Sequence, residues 1–430
     1  MRKAMLANRR HVLAGLAILA ATPAARAQSM LDATTLGVVG DTGQDQGPAL
    51  QAALDQAAAA GRALQLPPGI IHVSGLDFPS DLVVQGVPGS TELTSLPDGN
   101  SMSIHDRGTL VLRDIAFASG AVGLGIVASD DITLERCRFR ASAIGVSIAD
   151  AGVTIINCHF SELGDAAIHA MDSRGLFISG NSIDTCGNAG IRIWRSESGA
   201  DGSIVTANRI SNIDWRDGGN GQNGNGINVF KADEVIVANN HIADCAFTAI
   251  RLNATRNTQV GGNTCLRSGE VAIFSEFEFS GSVIANNIID GAATGISITN
   301  LDSGGQLAVC AGNIVRNITP NSPVNPDTIP IGIFAEAETA ITGNTVQDVP
   351  GIAIAAGYGT FLRNVLISGN VISQSDIGIG VSVVDGAGPV QIGSNTVSAR
   401  QHAIVGLAWS DIVEADLMAN AGRHPNVSFQ

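Results

Sequence analysis

Val235-Ile236-Val237-Ala238-Asn239-Asn240-His241-Ile242, followed by Thr248-Ala249-Ile250-Arg251-Leu252, is one copy of a two-phrase repeat running from about residue 110 to residue 408. The first phrase reads apolar, any, apolar, any, any, Asn, any, apolar. The second reads Gly or Ala, Ile, any, apolar. The Asn position falls at Ile115, Cys137, Cys158, Asn181, Asn208, Asn240, Asn263, Asn287, Asn313, Asn344, Asn370 and Asn395, with most spacings between 21 and 27 residues. The leading Ile of the second phrase falls at Leu124, Val146, Ile168, Ile191, Ile227, Ile250, Ile273, Ile296, Ile333, Ile352, Ile379 and Ile404. A fixed period in this range marks a solenoid, propeller or array.

Each phrase alternates with period two, so each is a short strand with one face buried. A copy is too short for a four-stranded blade and lacks helical spacing. Its files are Ile, Val and Asn, not the Leu of leucine-rich repeats. What fits is a coil of two or three short strands per turn, stacked in parallel about 4.8 Å apart, so that equivalent residues form files along its length. An inward Asn amide bonds the backbone of a buried corner and the Asn above and below it. Asn also suits the left-handed backbone of a sharp corner.

These phrases resemble the right-handed parallel β-helix repeats of the pectin-lyase-like class. Together with the leader described below, the chain is similar to a family of twin-arginine-translocated repeat proteins. The resemblance covers nearly the whole chain and is specific for fold, not activity. It implies an all-β, single-stranded right-handed parallel β-helix of about 12 rungs, one per copy, with a short N-terminal capping helix. The expected segments are a signal peptide over 1–27, a cap with lead-in strands over 28–108, repeats over 109–408 and a C-terminal cap or tail over 409–430.

The leader carries Asn8-Arg9-Arg10-His11-Val12-Leu13, a short apolar run to Ala21, and Ala25-Arg26-Ala27 before Gln28. It resembles a twin-arginine signal, with Asn in place of Ser or Thr and Val in place of Phe; an ordinary secretory signal is the alternative. Either places the protein in the periplasm or outside the cell. The apolar run is too short to span a membrane. Net charge is −15, and −20 once the five cations of the leader are removed, which argues against nucleic acid as a general partner. The six cysteines all fall on inward files. Only Cys137 and Cys158 lie close enough for a bridge, and buried free thiols are the preferred reading.

Pro48 opens a helix whose Leu50, Ala53, Leu54 and Ala57 line one face and which Gly61 ends, suited to closing the coil's N-terminal edge. Two copies carry extra residues at the same place between their phrases, over 214–224 and 319–330. Insertions in a solenoid leave from one side, so these loops should wall a groove four rungs, about 19 Å, wide.

In the second phrase the residue after Ile points outward, as does the next but one. One outward file reads His169, Arg192, Asn228, Arg251, Phe274, Ser297, Phe334; the other reads Met171, Trp194, Phe230, Asn253, Glu276, Thr299, Glu336. Trp215 and the mature chain's one lysine, Lys231, fall nearby. Aromatic faces beside Arg and Asn suit sugar rings, so His169, Arg192, Trp194, Trp215, Asn228, Phe230 and Asn253 are candidate substrate-binding residues. Glycoside hydrolysis needs two carboxyl groups about 5–9.5 Å apart. Glu276 with Asp214 or Asp217 is a candidate pair, and Arg251 a candidate cation; proton abstraction beside a uronate would enlist Arg251 or Arg192 with His169. An ordinary solvated face, with Arg251 and Glu276 as a salt bridge, is the bland alternative.

The active-site patterns of the resembled class are mostly missing. Asn212-Ile213-Asp214 matches the Asn-x-Asp of polygalacturonases and Asp130-Asp131 their Asp-Asp several rungs away, but Gly-His-Gly and Arg-x-Lys are absent. So are the Asp-Pro-His of alginate epimerases and the Arg-x-Pro-x-x-Arg of pectate lyases. Three readings follow: a polysaccharide lyase, epimerase or hydrolase; a non-catalytic carbohydrate-binding or envelope-structural protein; or a cofactor carrier, suggested by the leader alone. No ligand cluster for a metal or cofactor stands out, and the oligomeric state is open.

Overall fold

The computed structural model describes residues 30–97, 99, 101–219, 221–299 and 305–430. Residues 1–27, expected to be a signal peptide, lie outside the described residues. Each turn is built from three strands, as in Ile236–Ala238, His241–Cys245 and Ile250–Asn253. The first strands of all turns stack into one 16-stranded sheet, and the second and third strands form a 27-stranded one. The chain is a right-handed parallel solenoid of about 14 turns, two more than the twelve copies suggest. Stacking begins before the repeat is regular: Leu31–Asp32 already pairs in parallel with Leu64–Gln65, and Leu64–Gln65 with Leu82–Gln85.

The register follows the files with one slip: the partner of Ile333 and Ile379 is Ile354, not the expected Ile352, which pairs with Ile331 instead. Ile227, Ile250, Ile273, Ile296 and Ile333 are successive partners and all are buried. Just before that Ile the side chain also points inward against the neighbouring turn, which explains the Gly or Ala of the phrase. A Cβ on Gly295 would lie 2.4 Å from the Gly332 carbonyl oxygen and 2.5 Å from Val315. On another inner file, Phe117, Phe139 and Phe160 stack face to face, with centroids 5.1 and 4.8 Å apart.

The Asn ladder is continuous from Asn181 to Asn395. Asn263 Nδ2 donates to Val237 O (2.9 Å) and Asn287 Oδ1 (3.0 Å), while its Oδ1 accepts from the N–H and Nδ2 of Asn240 (2.9 and 3.0 Å). Both amide hydrogens and the oxygen are thus used, which is what a fully buried amide requires. The ladder Asn is not the left-handed residue, contrary to expectation. That conformation belongs to its predecessor, as at Ala207, Asn239, Gly262 and Asn286 (φ 56 to 67°). The predecessor turns the corner and frees the ladder amide to satisfy it.

The helix Gly47–Ala59 packs Leu50, Ala53, Leu54 and Ala57 on the N-terminal end. At the other end Asp411–Glu414 folds back antiparallel on residues 406–408, and Val427–Phe429 adds a last parallel strand to Val390–Gly393. All six cysteines are buried free thiols, and the Cys137 N–H points at Cys158 Sγ (3.3 Å). Among the described residues no helix is long and apolar enough to cross a membrane.

Candidate functional site

The third strands of successive turns bring the two outward files together in the expected register: His169, Arg192, Asn228, Arg251 and Phe274 in one, Met171, Trp194, Phe230, Asn253 and Glu276 in the other. Trp194, Gly221, Gln222, Asn228, Phe230, Arg251, Asn253 and Phe277 line an open cavity of about 320 Å³ on this face. Its aromatic walls are Trp194, which meets Phe230 edge to face at 6.4 Å, and Phe277 beyond the end of the next turn's strand. Phe277 and Glu278 both take positive φ (46°), a conformation costly for a bulky side chain that marks a constrained corner beside the cavity.

Arg251 closes the floor. Its Nε donates to Glu276 Oε1 (2.6 Å), one terminal nitrogen to Glu276 Oε2 (2.9 Å) and the other to Glu270 Oε2 (3.4 Å). All three residues are buried, with exposures of 6, 2 and 4 %. The guanidinium also lies 5.0 Å from the Phe274 ring and 5.8 Å from that of Phe247, with the Gly221 backbone pressed on it. Asn253 Nδ2 donates to Glu276 Oε1 (2.7 Å). Burial pushes the Glu270 carboxyl above its ordinary range, although Arg251, Asn325 and Thr248 pull the other way.

Arg192 and His169 sit beside this cavity and do not line it. Arg192 is held by both carboxylate oxygens of Asp165 (3.1 and 3.0 Å) and by Asn223 Oδ1 (2.9 Å), and lies 5.2 Å from the Trp194 ring. His169 meets Trp194 edge to face at 5.3 Å; burial and then the Arg192 charge hold its pKa below the ordinary value. His169 Nδ1, Arg192 Nε and Trp194 Nε1 are buried without a hydrogen-bond partner among the described residues, a concentration of unmet polar groups that stable packing alone avoids.

The two inserted loops do share a flank. Asp214 and Arg216 of the first and Pro323 and Val324 of the second line one cavity of about 600 Å³, floored by Cys186, Ile213, Cys245 and Ala246 at the corner before the third strand. The walled groove is therefore distinct from the aromatic cavity, where one continuous groove was expected. Instead of standing as a wall, the first loop folds down: Asn228 Nδ2 donates to Gly221 O, and Asp217 and Asn188 exchange hydrogen bonds. Asn325 of the second loop reaches Glu270 Oε1 (2.9 Å).

Two candidates are thereby displaced. Asp214 is exposed, lines the other cavity and is bound to the Trp215 N–H and then to Arg216, which hold its pKa low; it does not form a pair with Glu276 across the aromatic cavity. Trp215 packs on Phe247 (5.7 Å) and donates from Nε1 to Gly219 O (3.2 Å), serving the loop. Glu270, Gln222 and Phe277 were not among the sequence candidates. Glu270 belongs to a third file, three residues ahead of the leading Ile, with Asp165, Asn188 and Phe247; charged and aromatic residues recurring there were the available signal.

A family model described as the right handed beta helix region matches residues 102–221 and 193–317. Among solved structures, a mannuronic-acid-specific family 6 polysaccharide lyase from human gut microbiota superposes with a TM-score of 0.50 at 14% identity, covering 92% of this chain and 93% of that one. A PL6 alginate lyase in complex with a trisaccharide gives 0.51 at 14%, covering 93% of each. The pre-mature gene product 12 of bacteriophage phi29 gives 0.54 at 13%, covering 90% of this chain and 58% of that one. At such identities the likeness is one of fold. No curated protein matches the sequence.

Proposed function

The chain belongs to the right-handed β-helix family, and from that premise we propose that it is an exported protein that binds an oligosaccharide segment in the cavity at Trp194. One observation carries the reading: three aromatic side chains, Trp194, Phe230 and Phe277, and three amides, Gln222, Asn228 and Asn253, converge on one open cavity over a parallel sheet. Sugar rings offer apolar faces for the aromatics and hydroxyls for the amides. That β-helix neighbours include polysaccharide lyases supports a glycan ligand as an analogy of fold. The leader supports export, by the twin-arginine route, to the periplasm or beyond.

Turnover is the second reading, with Glu276, Asp214 and Arg251 as its first candidates. Glu276 has both oxygens committed to Arg251 and Asn253, and Asp214 faces elsewhere, so binding is the stronger reading. The observation favouring turnover is Glu270, a buried acid beside Arg251 whose pKa burial pushes above the ordinary value. Calorimetric titration against a glycan panel, with product analysis of the same mixtures, tests both. Binding without new reducing or unsaturated ends supports the first; products lost in Glu270→Gln support the second; neither binding nor products contradicts both.

A further inference from the structure

Resting on the oligosaccharide reading, we infer the ligand's class: the cavity selects an uncharged or amine-bearing sugar and rejects a uronate. Recognition of a carboxylate needs an available cation or a set of free N–H donors. The cation lining the cavity, Arg251, is already held by two carboxylates, by Glu276 in bidentate fashion. A guanidinium between two glutamates carries no net positive charge to offer, whether or not Glu270 holds a proton. Arg192 lies to one side and is neutralised by Asp165. Lys231, outside the lining, donates to Ser196 O (3.1 Å) with its ammonium 5.3 Å from the Phe230 ring.

The amides point to the same conclusion. Asn228 spends its Nδ2 on Gly221 O and Asn253 spends its own on Glu276. Each has an oxygen that no donor among the described residues meets, so what these two offer a ligand is acceptors; among the lining amides, Gln222 alone adds N–H donors. Acceptors fit hydroxyl or ammonium hydrogens and repel a carboxylate. The acidity of the chain as a whole, −15, adds to that repulsion at long range.

The test is a calorimetric titration of the mature protein with oligogalacturonate and with the same oligosaccharide after reduction of its carboxyls to alcohols, alongside neutral gluco-oligosaccharides and chitosan oligosaccharides. At least one uncharged or amine-bearing arm is expected to bind tenfold or more tighter than oligogalacturonate, and the reduced form more tightly than its parent. In Glu276→Gln, which loosens the hold on Arg251, the gap should narrow; Glu270→Gln, which removes the second acid but leaves the bidentate pair, serves if that variant does not fold. Uronate binding as tight as the reduced form, and lost in Trp194→Ala, would overturn the inference and leave the site standing. Binding by no arm would remove the site and the inference together.

Discussion

Arg251 and Glu276 sit side by side on adjacent turns and bond through two parallel contacts, 2.6 and 2.9 Å, with both side chains under 10 % exposed. A buried pair of this kind is costly to break from one side, because the remaining charge has no solvent. Glu276→Ala should lower unfolding free energy by about 3 kcal/mol, read as a shift in urea midpoint. A shift below about 0.5 kcal/mol, the range of ordinary surface changes, would mean the pair is solvated and the cavity floor is not rigid.

The Asn ladder predicts a gradient. Asn263→Ala strands the Val237 carbonyl and the Asn240 donors inside the coil, whereas Asn395→Ala frees the matching Ile367 carbonyl and Asn370 donors at a half-buried end that water can reach. At about 1–3 kcal/mol for each buried group left unmet, the central substitution should cost well over twice the terminal one in thermal or urea unfolding. Equal costs would show that the amides are exchangeable packing.

Gly295→Val tests the small file before the leading Ile. Its Cβ would collide with a carbonyl oxygen of the next turn, and backbone there moves only by parting two strands. A loss of about 1–3 kcal/mol is expected, with the far-ultraviolet strand signal retained. An unchanged melting temperature would contradict the register.

These tests mark what was legible in the sequence. Period-two phrases and their inward Ile and Asn files were readable because parallel stacking repeats one contact in every turn. Trp194, Phe230, Asn228 and Asn253 were readable for the same reason, as outward positions of a regular strand. Glu270 was legible only through the third file it shares with Asp165, Asn188 and Phe247, and Phe277 was not, since both stand in corners outside the phrases. The commitment of Glu276 and the separation of Asp214 depend on how a loop folds, which spacing does not encode. The two extra turns were missed because their strands precede the regular phrases.

Glu270 should leave a pH signature. Its folded pKa is raised above the ordinary 4.5 by burial, so the folded form prefers the protonated acid. Its contribution to stability is therefore complete below 4.5 and is lost as pH rises through the folded value. The stability of the wild type relative to Glu270→Gln should fall as pH rises from below 4.5 through the folded value, in urea titrations at matched ionic strength. A difference that grows with pH would show that the charge of Glu270, through Arg251, outweighs its burial.

The central claim is that a glycan rests against Trp194. The most direct measurement is the affinity of the best-binding oligosaccharide for wild type, Trp194→Ala and Trp215→Ala, by calorimetry. Losing the stacking face should cost about 1.5–2 kcal/mol, roughly ten- to thirtyfold in Kd, in Trp194→Ala, with Trp215→Ala within about threefold of wild type. Equal affinities for wild type and Trp194→Ala, or a loss confined to Trp215→Ala, would contradict the account and move the ligand to the cavity between the loops.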